Sequence, residues 1–187
     1  DVIMGKAELT KAVGRWLPGY ELAEKNLYLL EDSAHLIGEA GLPEGVTMKK
    51  GVPGDEDKIH AFLMTIPEIR ALYASKEMIA DRLKSGDGTH LYLERNGEII
   101  AHVNSAAKSP FTVMLGGAAV KEKERGKNLE ALLVSRISRD ILAEGKKPCL
   151  FCDRGEEHNL FVQIGFQKAG IWGTLTPKKP EEGKSRL

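Results

Sequence analysis

The nine residues Val120–Asn128, VKEKERGKN, join an apolar run (Phe111–Val120) to an amphipathic segment (Leu129–Glu144), and they constrain the chain more than any other feature. The apolar run reads as a strand. Leu129, Leu132, Leu133, Ile137 and Ile141 recur at helical spacing, with Arg136, Arg139 and Asp140 on the other face. The junction is therefore strand, turn, helix. A helix N-terminus carries partial positive charge and N–H groups without intrahelical partners, and Gly126 lets backbone approach a ligand closely. Lys121, Lys123, Arg125 and Lys127 outnumber Glu122 and Glu124 in the loop. These properties suit an anion such as a pyrophosphate, although a charged loop on its own is most often only solvated.

Composition limits what surrounds this unit. A length of 187 residues suits one domain, or one domain with a smaller attached piece. Lys+Arg and Asp+Glu both number 27, so no global field draws the chain to nucleic acid or to acidic membranes. The hydrophobic fraction of 42% supports a substantial core. No apolar run approaches the roughly 18 residues that span a bilayer, and no secretion signal is evident, so a soluble, cytoplasmic protein is expected. Cys149 and Cys152 lie in an apolar strand whose alternation sends them to opposite faces. That placement favours two buried thiols over a redox or zinc pair.

Residues 1–45 read as a β-α-β piece. Val2–Gly5 is a strand end, Lys6–Leu17 a helix with Leu9, Ala12, Val13 and Trp16 on one face, and Leu27–Leu30 a short buried strand. Two readings of this piece are open: the remainder of a larger protein, or an extension packed on the main domain. Gly and Pro crowd residues 38–55 and mark a boundary, so a second domain is expected over 46–177, with a polar tail over 178–187. Within 46–177, Val46–Lys50 is a strand and Asp55 caps a helix bearing Ile59, Phe62 and Leu63. After Pro67, Ser75 caps a second helix. Thr89–Glu94 and Glu98–Ala106 form a hairpin about Asn96-Gly97, and Phe111–Val120 continues the meander. The Gly116-Gly117 pair suggests a bulge in that third strand.

The order of these pieces resembles the GNAT superfamily of N-acetyltransferases. The family's cofactor loop reads Q/R-x-x-G-x-G/A; here Lys123 stands at the first position, Gly126 matches the first glycine, and Asn128 replaces the final small residue. Leu115-Gly116-Gly117 before the loop, the strand Cys149–Cys152, and Leu160-Phe161 followed by Gly165-Phe166 extend the resemblance over residues 89–176. The fold it implies is α/β (α+β), with a central mixed, mainly antiparallel sheet flanked by helices and splayed at the strand-loop-helix site. The resemblance implies acetyl-coenzyme A as cosubstrate, held by Ala118, Ala119, Val120, Lys123, Glu124, Arg125, Gly126, Lys127, Asn128 and Phe161. In such a site the backbone of Val120 pairs with the pantetheine arm, and its N–H polarises the thioester carbonyl.

The family's reaction, attack of a neutral amine on the thioester, needs a route for the amine proton and an acid for the departing sulfur. The tyrosine that often serves as that acid is replaced here by Phe161. His102 and His158 are the remaining titratable candidates, because histidine changes charge near neutral pH. Asn128 and Glu130 add a side chain and a negative charge where the family has small residues. The sequence thus supports an N-acetyltransferase acting on an unidentified small-molecule or protein amine. The alternative is a non-catalytic GNAT-like module that binds an acyl-coenzyme A or a protein partner. The acceptor and the oligomeric state are not encoded legibly.

Overall fold

The structure is a computed structural model and describes residues 1–155 and 159–178. The candidate His158 and all of the tail beyond Lys178 lie outside the described residues. The chain forms two units that interleave in sequence. Among the described residues, one comprises 1–28, 151–155 and 168–178; the other comprises 29–150 and 159–167.

The larger unit contains the strand-loop-helix. Its strands are β3 (Val46–Lys50), β4 (His90–Arg95), β5 (Glu98–Lys108), β6 (Thr112–Val120) and the first part of β7 (Lys147–Asp153). They lie in the order β7-β6-β5-β4-β3. Pairing is antiparallel from β3 to β6 and parallel between β6 and β7, the mixed, mainly antiparallel arrangement expected from the sequence. The β4–β5 hairpin turns at Asn96 (φ 52°) and Gly97 (φ 80°), two left-handed residues in succession, as an Asn-Gly turn requires. Parallel pairing of β6 with β7 covers only Thr112–Met114 against Lys147–Cys149. The later part of β6 therefore keeps its backbone groups on that side out of this ladder.

One face of this sheet is covered by α2 (Glu56–Met64) and α3 (Lys76–Ser85), joined through a 3₁₀ turn at Arg70–Tyr73. Ile59, Phe62, Leu63, Ile66, Tyr73, Ile79, Leu83, Tyr92, Ile99 and Ala119 form its core. Ser75 caps α3 by accepting from the Met78 N–H at 3.4 Å. Asp55 precedes α2 without capping it; its carboxylate instead accepts from the Val52 N–H at 3.1 Å and the Tyr92 hydroxyl at 3.0 Å.

The helix after the loop, α4 (Leu129–Ala143), is buried well beyond its apolar stripe, including Ser135 and Ser138. The segment before β3 wraps over it: Ile37 N–H donates to Ser135 Oγ at 3.2 Å, and Arg139 donates to the Leu36 carbonyl at 2.7 Å. Ser135 is thus buried and satisfied, whereas the buried Ser138 hydroxyl has no partner among the described residues. α5 (Asn159–Gln163) completes the unit.

The smaller unit contains β1 (Ile3–Lys6), α1 (Ala7–Gly14), β2 (Tyr20–Leu29) and β8 (Gln167–Pro177), with β8 beside both β1 and β2. β1 pairs antiparallel with β8, Ile3 opposite Leu175 and Gly5 opposite Gly173. The helix turns the unexpected way. Its small residues Ala7, Thr10 and Gly14 meet Gly173 and Leu175, while Leu9 (64%) and Trp16 (84%) are exposed. Glycines on the strand allow a close approach that the larger apolar residues would prevent, so small-residue complementarity overrides the apolar stripe. Cys149 and Cys152 are both buried and form no disulfide, and burial raises the Cys149 thiol above its ordinary pKa.

Candidate active site

β6 carries the expected irregularity. His102 of β5 lies opposite Ala119 and Asn104 lies opposite Gly116, so Gly117 and Ala118 together face the single residue Val103. This is a β-bulge with its extra residue on β6. Gly117 adopts φ +56°, and a Cβ there would sit 2.6 Å from the Tyr73 hydroxyl. Only glycine satisfies both demands. Beyond the bulge, Lys121 N–H donates to the Ile100 carbonyl of β5 at 2.9 Å. Because neighbouring residues of a strand present their N–H groups to opposite sides, the Val120 N–H points away from β5. It is directed to the side where β6 lies outside the ladder with β7.

A pocket of about 490 Å³ opens at this point. Ala118, Ala119 and Val120 of β6 form one wall, Ile66, Glu68 and Ile69 a second, and Glu124, Arg125, Gly126, Asn128, Leu129 and Glu130 the mouth of α4. Gly126 (φ +80°) and Asn128 (φ 56°) both take left-handed backbone and turn the chain into the helix. The Asn128 side chain makes no cap bond to α4, so it leaves the first-turn N–H groups of the helix to other acceptors. No atom lies within 4 Å of where a Gly126 Cβ would stand. Apart from Glu68 the walls are apolar, and the mouth is rich in donors, which fits an elongated ligand with an anionic end.

The loop charges are more occupied than their count suggests. Glu124 is buried, only 5% exposed, and accepts from Arg95 Nη1 at 2.9 and 3.0 Å and from Lys127 Nζ at 2.9 Å. The Lys127 ammonium, with Arg95 behind it, holds the Glu124 carboxyl below the usual carboxylate range. Lys121 pairs with Glu98 at 2.8 Å. Arg125 pairs with Glu68 at 2.9 Å. Glu68 is held below its ordinary pKa by a bond from its own backbone N–H and by that guanidinium. Lys123 does not line this pocket; it borders a neighbouring shallow depression with Thr65, Ile66, Lys121 and Glu122.

The structure thus brings Ala118, Ala119, Val120, Glu124, Arg125, Gly126 and Asn128 to one pocket. Lys123 and Lys127 lie beside it. Phe161 turns inward, 7% exposed and edge-on to Phe166 at 6.1 Å, while its neighbour Leu160 lines the pocket. A one-residue change of position on a short helix exchanges core and pocket faces, which explains the difference from the expectation. Ile66, Glu68 and Ile69 carry no sequence signal of their own.

His102 stands elsewhere, 1% exposed and outside the residues that line the pocket. Both of its ring nitrogens are engaged: Nδ1 with the Gly117 carbonyl at 2.9 Å and Nε2 with His90 Nδ1 at 2.9 Å. It offers no free nitrogen to a substrate amine. Burial depresses its pKa to about 3, and burial with Arg82 nearby depresses that of His90 to about 4, so both rings are neutral near pH 7.

No family model matches the sequence, and no curated protein matches it significantly. Solved structures do. A GCN5-related N-acetyltransferase from Kribbella flavida superposes with a TM-score of 0.70 at 14% identity, over 97% of this chain and 69% of its own. A tandem GNAT protein from the clavulanic acid biosynthesis pathway gives 0.65 at 13% identity, over 97% of this chain and 64% of its own. A predicted acetyltransferase from Clostridium acetobutylicum, solved with acetyl-CoA, gives 0.55 at 14% identity, over 74% of this chain and 96% of its own. At such identities the likeness is one of fold, and this chain has the fold of the GNAT superfamily of N-acetyltransferases.

Proposed function

We propose that the protein transfers an acetyl group from acetyl-coenzyme A to a primary amine. The observation that carries this reading is the pocket between the unladdered end of β6 and the N-terminus of α4, with apolar walls and a mouth rich in N–H groups. Acetyl-coenzyme A supplies an activated acyl group: the amine nitrogen bonds to the thioester carbon, the C–S bond breaks, and the proton that the nitrogen gives up balances the one the departing thiolate takes. The Val120 N–H is oriented to donate to an oxygen placed beside β6, where developing negative charge is stabilised. The N–H groups of Gly126 and of the first turn of α4, with the Arg125 guanidinium, suit the phosphate end. Ile66, Ile69, Leu129 and Leu160 exclude water from the middle of the pocket.

A second reading, a coenzyme A-binding module without turnover, is favoured by one specific observation. Among the described residues lining the pocket there is no histidine, cysteine or tyrosine, and the Glu124 carboxylate is held by Arg95 and Lys127. Calorimetric titration with acetyl-coenzyme A, and separately with coenzyme A, tests both readings. Micromolar binding that falls at least tenfold in Lys123→Glu/Arg125→Glu supports the site, and acetylation of an amine panel then separates enzyme from module. Unchanged affinity in the double variant would remove the phosphate-loop assignment.

A further inference from the structure

The bulge in β6 leaves backbone polar groups out of register with β5, and a buried group must be satisfied somewhere. The Gly117 carbonyl is satisfied by a side chain from the neighbouring strand. Its partner is His102 Nδ1 at 2.9 Å. A carbonyl only accepts, so that nitrogen carries the proton. His102 Nε2 is then an acceptor, and its contact with His90 Nδ1 at 2.9 Å requires His90 to donate. One backbone carbonyl therefore sets the tautomers of two imidazoles in series. His90 Nε2, at the far end, is buried without a hydrogen-bond partner among the described residues. His90 itself is 0% exposed. Against the other side of the bulge, the Tyr73 hydroxyl and the Asn104 amide hold each other, with Asn104 Nδ2 donating to Tyr73 Oη at 3.1 Å.

We propose that His102, locked by His90, is a positioning residue for the pocket: it anchors the Gly117 carbonyl and so sets the direction in which Ala118, Ala119 and Val120 face the ligand. The link is geometric. Gly117 is the last residue before the three that form the β6 wall, and its left-handed backbone decides which side each of them presents. Without the imidazole, the half-buried carbonyl loses its partner, and β6 has reason to slip toward a regular ladder with β5. That slip moves the Val120 N–H from the open side of β6 to the β5 side, because a shift of one residue reverses every direction. Two neutral rings suit this task, since an imidazolium would be buried with no carboxylate among the contacts named above.

The consequence for ligand binding rests on the acyl-coenzyme A reading, but the anchor itself is measured without ligand. In the wild-type protein, imidazole nitrogen NMR should show the proton on Nδ1 of both His102 and His90. A proton on Nε2 of His102 overturns the proposal, whatever any variant does. His102→Asn places an amide donor where Nδ1 stands, and His102→Leu has nearly the same shape without a donor. The expected result is coenzyme A affinity within about threefold of wild type for Asn and at least tenfold weaker for Leu, with cooperative unfolding in both. Hydrogen exchange of the Lys121 amide, bonded to the Ile100 carbonyl, should quicken in Leu while that of Val120 slows, and both should stay near wild type in Asn. Equal behaviour of the two variants in exchange, or in affinity, sinks the proposal. If the wild type binds no coenzyme A, the acetyl-transfer reading fails, while the tautomers and the exchange rates still decide the anchor.

Discussion

The two polar clusters that flank the end of β6 solve one problem in opposite ways. At the loop, Arg95, Glu124 and Lys127 satisfy a buried carboxylate with charge, and Arg125 meets Glu68 at an exposed pair. At the bulge, His90, His102, Tyr73 and Asn104 satisfy buried groups with neutral hydrogen bonds. The neutral cluster costs no ion desolvation and fixes geometry, whereas the charged one can exchange partners when an anion arrives. Rigid backbone beside the reacting atoms and adaptable charge at the far end is the division that a ligand with an acyl head and a phosphate tail would need.

The largest effect should come from testing that rigidity directly. Gly117→Ala combines a left-handed backbone with a Cβ 2.6 Å from the Tyr73 hydroxyl. Strain and overpacking together should cost about 4 kcal/mol. Gly126→Ala, at φ +80° in open space, keeps only the backbone term and should cost about 1 kcal/mol. Urea denaturation of both variants measures the ratio; equal costs would mean that the bulge is no tighter than the loop.

Acid should then separate the clusters. The folded pKa values of His90 and His102, about 4 and about 3, lie below their unfolded values, so between those limits the unfolded chain binds protons that the folded chain refuses. Stability is full above about pH 6.5 and falls as pH drops, by about 1.4 kcal/mol per unit for each ring. The Glu124 carboxyl, lowered by Lys127 and Arg95, gives up its own contribution only as pH falls through the carboxylate range, so the loss near pH 6 belongs to the rings. Unfolding midpoints at pH 7 and 5.5 should differ markedly in the wild type and about half as much in His102→Asn, where His90 remains buried. A slope unchanged by the substitution would assign the loss to other groups.

How far the sequence reveals this site depends on the range of the interaction. The strand, loop and helix are legible because periodicity and Gly126 are local, and Gly116-Gly117 announces the bulge for the same reason. The His90–His102 contact is not, since twelve residues separate the two rings and their meeting depends on the register of the hairpin. The burial of Glu124 is set by Arg95 on another strand, so counting loop cations overstates what is free to bind phosphate. α1 misleads for a packing reason: Gly5 and Gly173 accept Thr10 closely, and the larger Leu9, with Trp16 just past the helix end, is left outside. In α4 the apolar stripe is legible, while the wrapping of residues 36–41 over Ser135 and Arg139 is a contact across nearly a hundred positions.

Two smaller effects probe the adaptable cluster. Arg125→Gln should weaken coenzyme A binding by about tenfold, the value of one charge-assisted contact of roughly 1.4 kcal/mol. The weakening should shrink as salt rises, because the guanidinium is 52% exposed in its pair with Glu68.

Glu68→Gln should do the reverse and by less. The carboxylate reaches Arg125 at 2.9 Å from the opposite wall of the pocket, so it competes with an incoming phosphate for the same guanidinium. An exposed pair of this kind is worth about 0–1 kcal/mol, which bounds the gain in affinity at a few-fold. The gain must vanish when Glu68→Gln is made in the Arg125→Gln background, since the competition acts only through Arg125. Calorimetric titration of the single and double variants at low salt reads this coupling. Tightening that persists without Arg125 would show that Glu68 acts through its field on the whole pocket, and the charged cluster would then be a fixed wall like the neutral one.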